Sequence, residues 1–192
     1  SLGLPFEDKI AITGVKAEAK GRKSGFKVAV LGELDAVVCP AHPQADPLTG
    51  ASHSCGHNAQ IASMLGAAMG LVSSGCMDEL DGDVAFIAVP AEEFVELEYR
   101  EKLQREGKIE FYGGKQEFIR LGVFDDIDMA MMVHSHANVP GTKVFLEGGA
   151  PGFVGKTVHF KGKEAHAGGA PHEGVNALNA AMLAMMNIHA QR

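Results

Sequence analysis

The sequence predicts an α/β fold: a mostly parallel central sheet flanked by helices, followed by the beginning of a smaller α+β unit. Three observations carry that expectation. Short apolar runs of strand length alternate with stretches of helical periodicity, the rhythm of parallel strands joined by crossover helices. Each run ends in acids or imidazoles, as expected where a ligand sits outside the carboxyl ends of the strands. The composition changes at 147–152 (EGGAPG), a Gly/Pro joint that divides the chain into units 1–149 and 150–192.

The elements follow in order. Lys27 to Leu34 (KVAVLGEL) is a Val-rich run that reads as a buried strand and leads into Asp35. Cys39 to Gly56 is too irregular for a regular element. Ile61, Met64, Leu65, Ala68 and Leu71 recur at helical spacing, so a helix is expected from Ala59 to Ser73 with Asn58 as its N-cap. Asp83 to Val89 (DVAFIAV) is a second strand, stopped by Pro90. A charged helix is expected over Glu93 to Arg105 and a shorter one over Lys115 to Leu121. Met129 to Val133 is a third strand ending at His134. Beyond the joint, Val154 to Lys161 alternates as a strand does, a loop follows, and Gly174 to Gln191 reads as a helix. Its Met182, Met185 and Met186 suit a packing or dimer face.

Composition narrows the function classes. The chain has 192 residues, 46% of them hydrophobic and 21% charged, so it can bury a core. A net charge of −7, no Trp and 6% aromatics argue against a nucleic-acid partner. No apolar run approaches the ~18 residues of a membrane span. Three scattered cysteines (Cys39, Cys55, Cys76) do not form a disulfide framework, and a cytoplasmic location is expected. The chain opens on Ser1 rather than Met, so either an initiator Met has been removed or the sequence starts inside a longer protein, and the second is the expectation.

Four groups of residues carry chemistry. Cys55 and His57 flank a glycine and can face one cation when the backbone turns there; the plainer alternative is a buried Cys and a capping His. Glu92 and Glu93 close a buried strand, where two adjacent carboxylates raise each other's pKa. A metal resolves that conflict, one carboxylate ligating and the other holding a water as general base. The alternative is a charged first turn of a helix. His134, with His136 two residues on, ends the third strand, and alone it reads equally as a half-buried imidazole. His166 and His172 lie in a Gly-rich loop that could reach a substrate oxygen or could simply be solvated. Taken together, Cys, His, Glu and His on one predicted sheet edge match zinc or a similar divalent ion.

With these residues aligned, the chain resembles the metal-dependent amidohydrolases of the aminoacylase and carboxypeptidase G type, peptidase family M-twenty. The resemblance runs from about Val28 to Arg192 and rests on GELDAV, HSCGHN, VPAEE, the strand ending in His134, and KGKEAHAGGAPHEGVNALNA in that order. It is nearest to the branch of hippurate, indoleacetyl-amino-acid and aminobenzoyl-glutamate hydrolases. The resemblance implies Cys55, His57, Glu93 and His134 as metal ligands, with His136 the fallback for His134. It implies Glu92 as general base, Asp35 as the group that orients a ligand, and His166 as a lid residue that hydrogen-bonds the scissile carbonyl. Glu33 stands where other branches place a ligating His. The implied reaction is hydrolysis of an amide in an N-acyl amino acid or small peptide-like substrate by metal-activated water. The implied cofactor is one or two divalent ions, zinc first and manganese as the alternative, and the implied assembly is a homodimer through the lid. Relatives carry a further ligand His after the lid, and the fragment alone is expected to be inactive. Two other classes compete: a cysteine hydrolase using Cys55, which leaves the Glu pair unexplained, and a non-catalytic binding or oligomerisation protein on the same scaffold.

Overall fold

A β-hairpin absent from the sequence expectation begins the chain. Strand β1 (Phe6–Ile10) pairs antiparallel with β2 (Gly14–Ala19), which in turn pairs antiparallel with the long central strand. The computed structural model describes residues 2–136, 140, 141, 144, 146 and 152–191. They form two compact units, Ser1–Gly141 and Thr142–Arg192.

In the first unit, β3 (Lys23–Glu33) carries the expected Val-rich run and extends it at its start. The irregular stretch beyond it holds a two-residue ribbon, β4 (Val37–Val38) against β5 (Ala51–Ser52). Helix α1 (His57–Ser73), strand β6 (Asp81–Val89), helices α2 (Leu97–Arg105) and α3 (Gly114–Arg120), and strand β7 (Met129–Met132) follow. The sheet order is β1-β2-β6-β3-β7. β3 runs parallel to both β6 and β7, so the expected parallel sheet is present, with the hairpin as an antiparallel flank.

The centre of the sheet is covered on both faces. On one side Ile10, Ala29, Ala85, Ile87, Val89 and Val123 pack around the fully buried Phe118 of α3. On the other, Met64 and Ala68 of α1 meet Ala19, Phe86 and Ala88. Burial on both faces explains why β3 and β6 read as near-continuous apolar runs. β2 instead alternates Val15, Ala17 and Ala19 with Lys16 and Glu18. Its charged face is tied down by ion pairs: Lys16 to Asp126 at 2.6 Å, and the buried Lys27 to Glu18 at 2.8 Å and also to Asp126.

Three expectations change. α1 begins at His57 because Gly56, at φ +109°, is its N-cap; no side chain caps it, and Asn58 lies inside the helix. α2 begins at Leu97 rather than Glu93, because Ala91 and Glu96 adopt left-handed φ values of 56° and 51° and keep 91–96 as a loop. Val154–Lys161 is not a strand. A strand needs a ladder partner, and among the described residues of the second unit the pairing found is a single bridge, Lys163 with Val175. That unit ends in α4 (Ala177–His189), capped by Asn176, whose side chain accepts from the Asn179 N–H at 3.2 Å. Most of the expected joint at 147–152 lies outside the described residues. Among the described residues, no helix is long and apolar enough to cross a membrane.

Candidate metal centre

The three parallel strands deliver their polar ends to one edge. Glu33 ends β3, with Asp35 two residues on. Glu92 and Glu93 follow β6, and His134 follows β7. The start of α1 brings Cys55 and His57 to the same place. Gly56 makes that approach workable: its φ is left-handed, and a Cβ there would collide with the Ser135 hydroxyl. Ser135 in turn donates to the Cys55 carbonyl at 3.3 Å, which pins the loop after β7 against the turn before α1.

Donor atoms of Cys55, His57 and His134 all lie within 4.8 Å of one another. The Cys55 Sγ is 3.6 Å from His134 Nε2, and the His57 and His134 rings meet edge to face with centroids 5.9 Å apart. His57 is 1% exposed. Its Nδ1 donates to the Asp35 main-chain oxygen at 2.8 Å, which fixes the tautomer and leaves Nε2 as the lone-pair atom. Among the described residues, that Nε2 has no hydrogen-bond partner although it is buried, and neither has Asp35 Oδ1. A second group, Glu33, His57 and Glu92, meets the same distance condition, with Glu33 Oε2 at 3.1 Å and Glu92 Oε2 at 3.9 Å from His57 Nε2. His134 Nδ1 lies 2.7 Å from the Ser135 carbonyl, so its Nε2 is likewise the atom on the Cys55 side.

The electrostatics are those of a site short of positive charge. Burial pushes the Cys55 thiol up to about 11, and a hydrogen bond to Glu93 and the charges of Glu93, Glu92 and Glu33 push the same way. Glu92 is raised by burial first and then by Glu33, with Lys115 opposing. A thiol, two imidazoles with fixed tautomers, adjacent carboxylates and an orphaned buried nitrogen together fit a divalent ion of borderline softness.

Of the expected residues, the structure brings Cys55, His57, His134, Asp35 and Glu92 together around His57. Glu93 lies beside Cys55 rather than within either donor group. Its backbone N–H donates to Asp35 Oδ2 at 2.8 Å. His166 belongs to the second unit. Its Nδ1 accepts from the N–H groups of Gly168 and Gly169 at 3.2 and 2.8 Å, which leaves Nε2–H, on an exposed ring, as a donor.

Three further residues emerge only from the structure. The Arg100 guanidinium, nearly buried, donates to the carbonyls of Ala91 and Tyr112 at 3.3 and 2.9 Å and to that of Glu93, clamping the strained loop that carries Glu92. Gln60 accepts from the Glu33 N–H at 2.7 Å. Lys115 donates to Glu33. Nothing local marks these residues, since the Lys115–Glu33 pair spans 82 positions.

Residues 149–192 match the family model described as a peptidase dimerisation domain. The chain is 31% identical to the N-acetylcysteine deacetylase of Bacillus subtilis over 174 residues, covering 88% of this chain and 40% of that protein. It is 34% identical to a p-aminobenzoyl-glutamate hydrolase chain of Escherichia coli over 146 residues, covering 73% of this chain and 28% of that protein. A solved Bacillus subtilis structure, titled as a dinuclear metal-binding peptidase from the M20 family, superposes with a TM-score of 0.54 at 29% identity, covering 72% of this chain and 35% of that one. The chain thus spans about two fifths or less of the length of these relatives.

Proposed function

This chain belongs to the M20 family of peptidases and amidohydrolases, and on that premise we propose that it carries the metal centre of an enzyme that hydrolyses an amide bond in an N-acyl amino acid or small peptide-like substrate. The observation that carries this reading is the buried, unpartnered Nε2 of His57, facing Cys55, His134 and two carboxylates.

Cys55, His57 and His134 would hold the ion, with Glu93, beside the thiol, as a further ligand. When bound, a divalent ion supplies Lewis-acid activation of water and of the substrate carbonyl. Asp35 keeps His57 in its ligating tautomer through its main-chain oxygen, and anchors Glu93 through its carboxylate. Glu92 is the general base: its Oε2 takes a proton from the attacking water and returns it to the leaving nitrogen. Its raised pKa suits both halves of that exchange. His166, with its Nδ1 occupied by two backbone N–H groups, offers Nε2–H to the oxygen of the scissile carbonyl. The second unit supports homodimerisation, with the exposed apolar face of α4 (Leu178, Met182, Met185) available for burial. A cytoplasmic location and zinc or manganese as the ion complete the proposal.

The test uses the full-length protein and a panel of acetylated, hippurate-like and aminobenzoyl-glutamate substrates with added zinc or manganese. Turnover that disappears on chelation and returns with metal supports the proposal. Chelator-resistant turnover, or none across the panel in metal-loaded protein, overturns it.

A further inference from the structure

Lys115 sits where nothing in the proposed mechanism needs it. Its ammonium donates to Oε1 of Glu33, a carboxylate that is 1% exposed. The other oxygen of the same carboxylate is 3.1 Å from His57 Nε2. The placement is built into the backbone. Lys115 follows Gly113 and Gly114 at the start of α3, and a Cβ at Gly114 would collide with the Pro90 carbonyl. Only a glycine lets the helix approach the end of β6 closely enough for Lys115 to reach Glu33.

The two donor groups share one residue. His57 belongs to both Cys55/His57/His134 and Glu33/His57/Glu92. Its Nδ1 is committed to Asp35, so it has one lone pair to give, on Nε2. If that lone pair goes to an ion beside Cys55 and His134, a second ion on the carboxylate side must rely chiefly on Glu33, since Glu92 serves as the base. The ammonium already holds Glu33 there and acts through space on Glu92 as well. Two cations on one buried carboxylate repel each other, and the interior screens that repulsion far less than water does.

We propose that Lys115 is a resident cation that competes with a second divalent ion for Glu33, so that the Cys55–His57–His134 group sets the affinity of the first equivalent while Lys115 holds the second one weak. The inference rests on the metal-centre reading above. It separates two jobs: the thiol and imidazoles select the ion, and the Glu33–Lys115 pair sets how many bind.

The experiment is calorimetric titration of metal-free full-length protein with manganese and, separately, zinc, with metal content measured after dialysis. The wild type, Lys115→Met, Lys115→Arg and Cys55→Ser are compared. Lys115→Met should keep the first equivalent within about threefold and tighten the second by at least about tenfold, the order expected when one buried positive charge is removed. Lys115→Arg should behave as wild type. Lys115→Gln gives the same comparison should Lys115→Met not fold. A wild type with no tight equivalent, or one that Cys55→Ser leaves unchanged, overturns the metal-centre reading and this proposal with it. A Cys55-dependent first equivalent with a second that is unchanged or weaker in the Lys115 variants overturns the proposal alone.

Discussion

The main-chain oxygen of Asp35 lies 2.8 Å from Nδ1 of His57, and the carboxylate of the same residue accepts the backbone N–H of Glu93, also at 2.8 Å. Asp35, two residues past β3, therefore both orients the imidazole from α1 and anchors the loop after β6. Asp35→Asn keeps the main-chain contact but removes the charge that faces His57. Metal affinity should fall about 10–100-fold, the range for loss of a group behind a ligand. A competitive chelator titration of both proteins checks this; equal affinities would remove Asp35 from the site.

Glu92 and Glu93 are neighbours with different surroundings. Glu92 Oε2 approaches His57, whereas Glu93 lies beside Cys55. Glu92→Gln should therefore retain metal and lose on the order of 10²–10⁴-fold in kcat. Glu93→Gln should lose metal first. Stoichiometry and turnover measured on the same samples distinguish the two, and the reverse pattern would exchange the roles.

Arg100 holds the carbonyls of Ala91 and Glu93, on either side of Glu92 in a loop with two left-handed non-glycine residues, and that of Tyr112 beyond it. Truncating it to Ala leaves those carbonyls to find other donors. Arg100→Ala should cost about 2–4 kcal/mol of stability, since hydrogen bonds to charged donors are worth about 1.5–3 kcal/mol and buried acceptors left unpaired add to the loss. Urea unfolding gives the number. A variant as stable as wild type would show that the loop holds itself.

Stability should also fall at low pH through the charged face of the hairpin. Lys16 and then Lys27 hold the Asp126 carboxyl down at about 2. A carboxylate lowered on folding stabilises above its unfolded pKa of about 3.9, and that contribution is lost as pH falls toward 2. Asp126→Asn should be less stable than wild type at pH 6, and the gap should narrow from about pH 4 downward. Urea midpoints across pH 2–6 follow it; a constant gap would mean the pairs with Lys16 and Lys27 do not contribute.

The parallel strands and the residues at their ends were legible because β3 and β6 are buried on both faces and write that burial as unbroken apolar runs. The hairpin was not. β2 mixes small residues with Lys16 and Glu18, and its charged face is held by partners some 110 residues away, such as Asp126. The start of α1 was misplaced because Asn58 looks like a cap, whereas the turn depends on Gly56 and on its close fit to Ser135, a contact between distant segments. The delayed start of α2 reflects left-handed Ala91 and Glu96, which no local propensity suggests. The expected strand at Val154–Lys161 had the right alternation, but alternation does not supply a partner. Cys55, His57 and His134 could be nominated from sequence by residue type and position. The roles of Arg100 and Lys115 depend on contacts that only the fold creates.

We propose that Cys55, His57 and His134 form one metal centre. Elemental analysis of the full-length protein, purified without chelator and dialysed against metal-free buffer, tests it most directly when wild type is compared with Cys55→Ser and His134→Ala. The wild type should hold at least one divalent ion per chain and both variants should lose it strongly, with the fold intact by circular dichroism. Wild-type stoichiometry and affinity in both variants would contradict it.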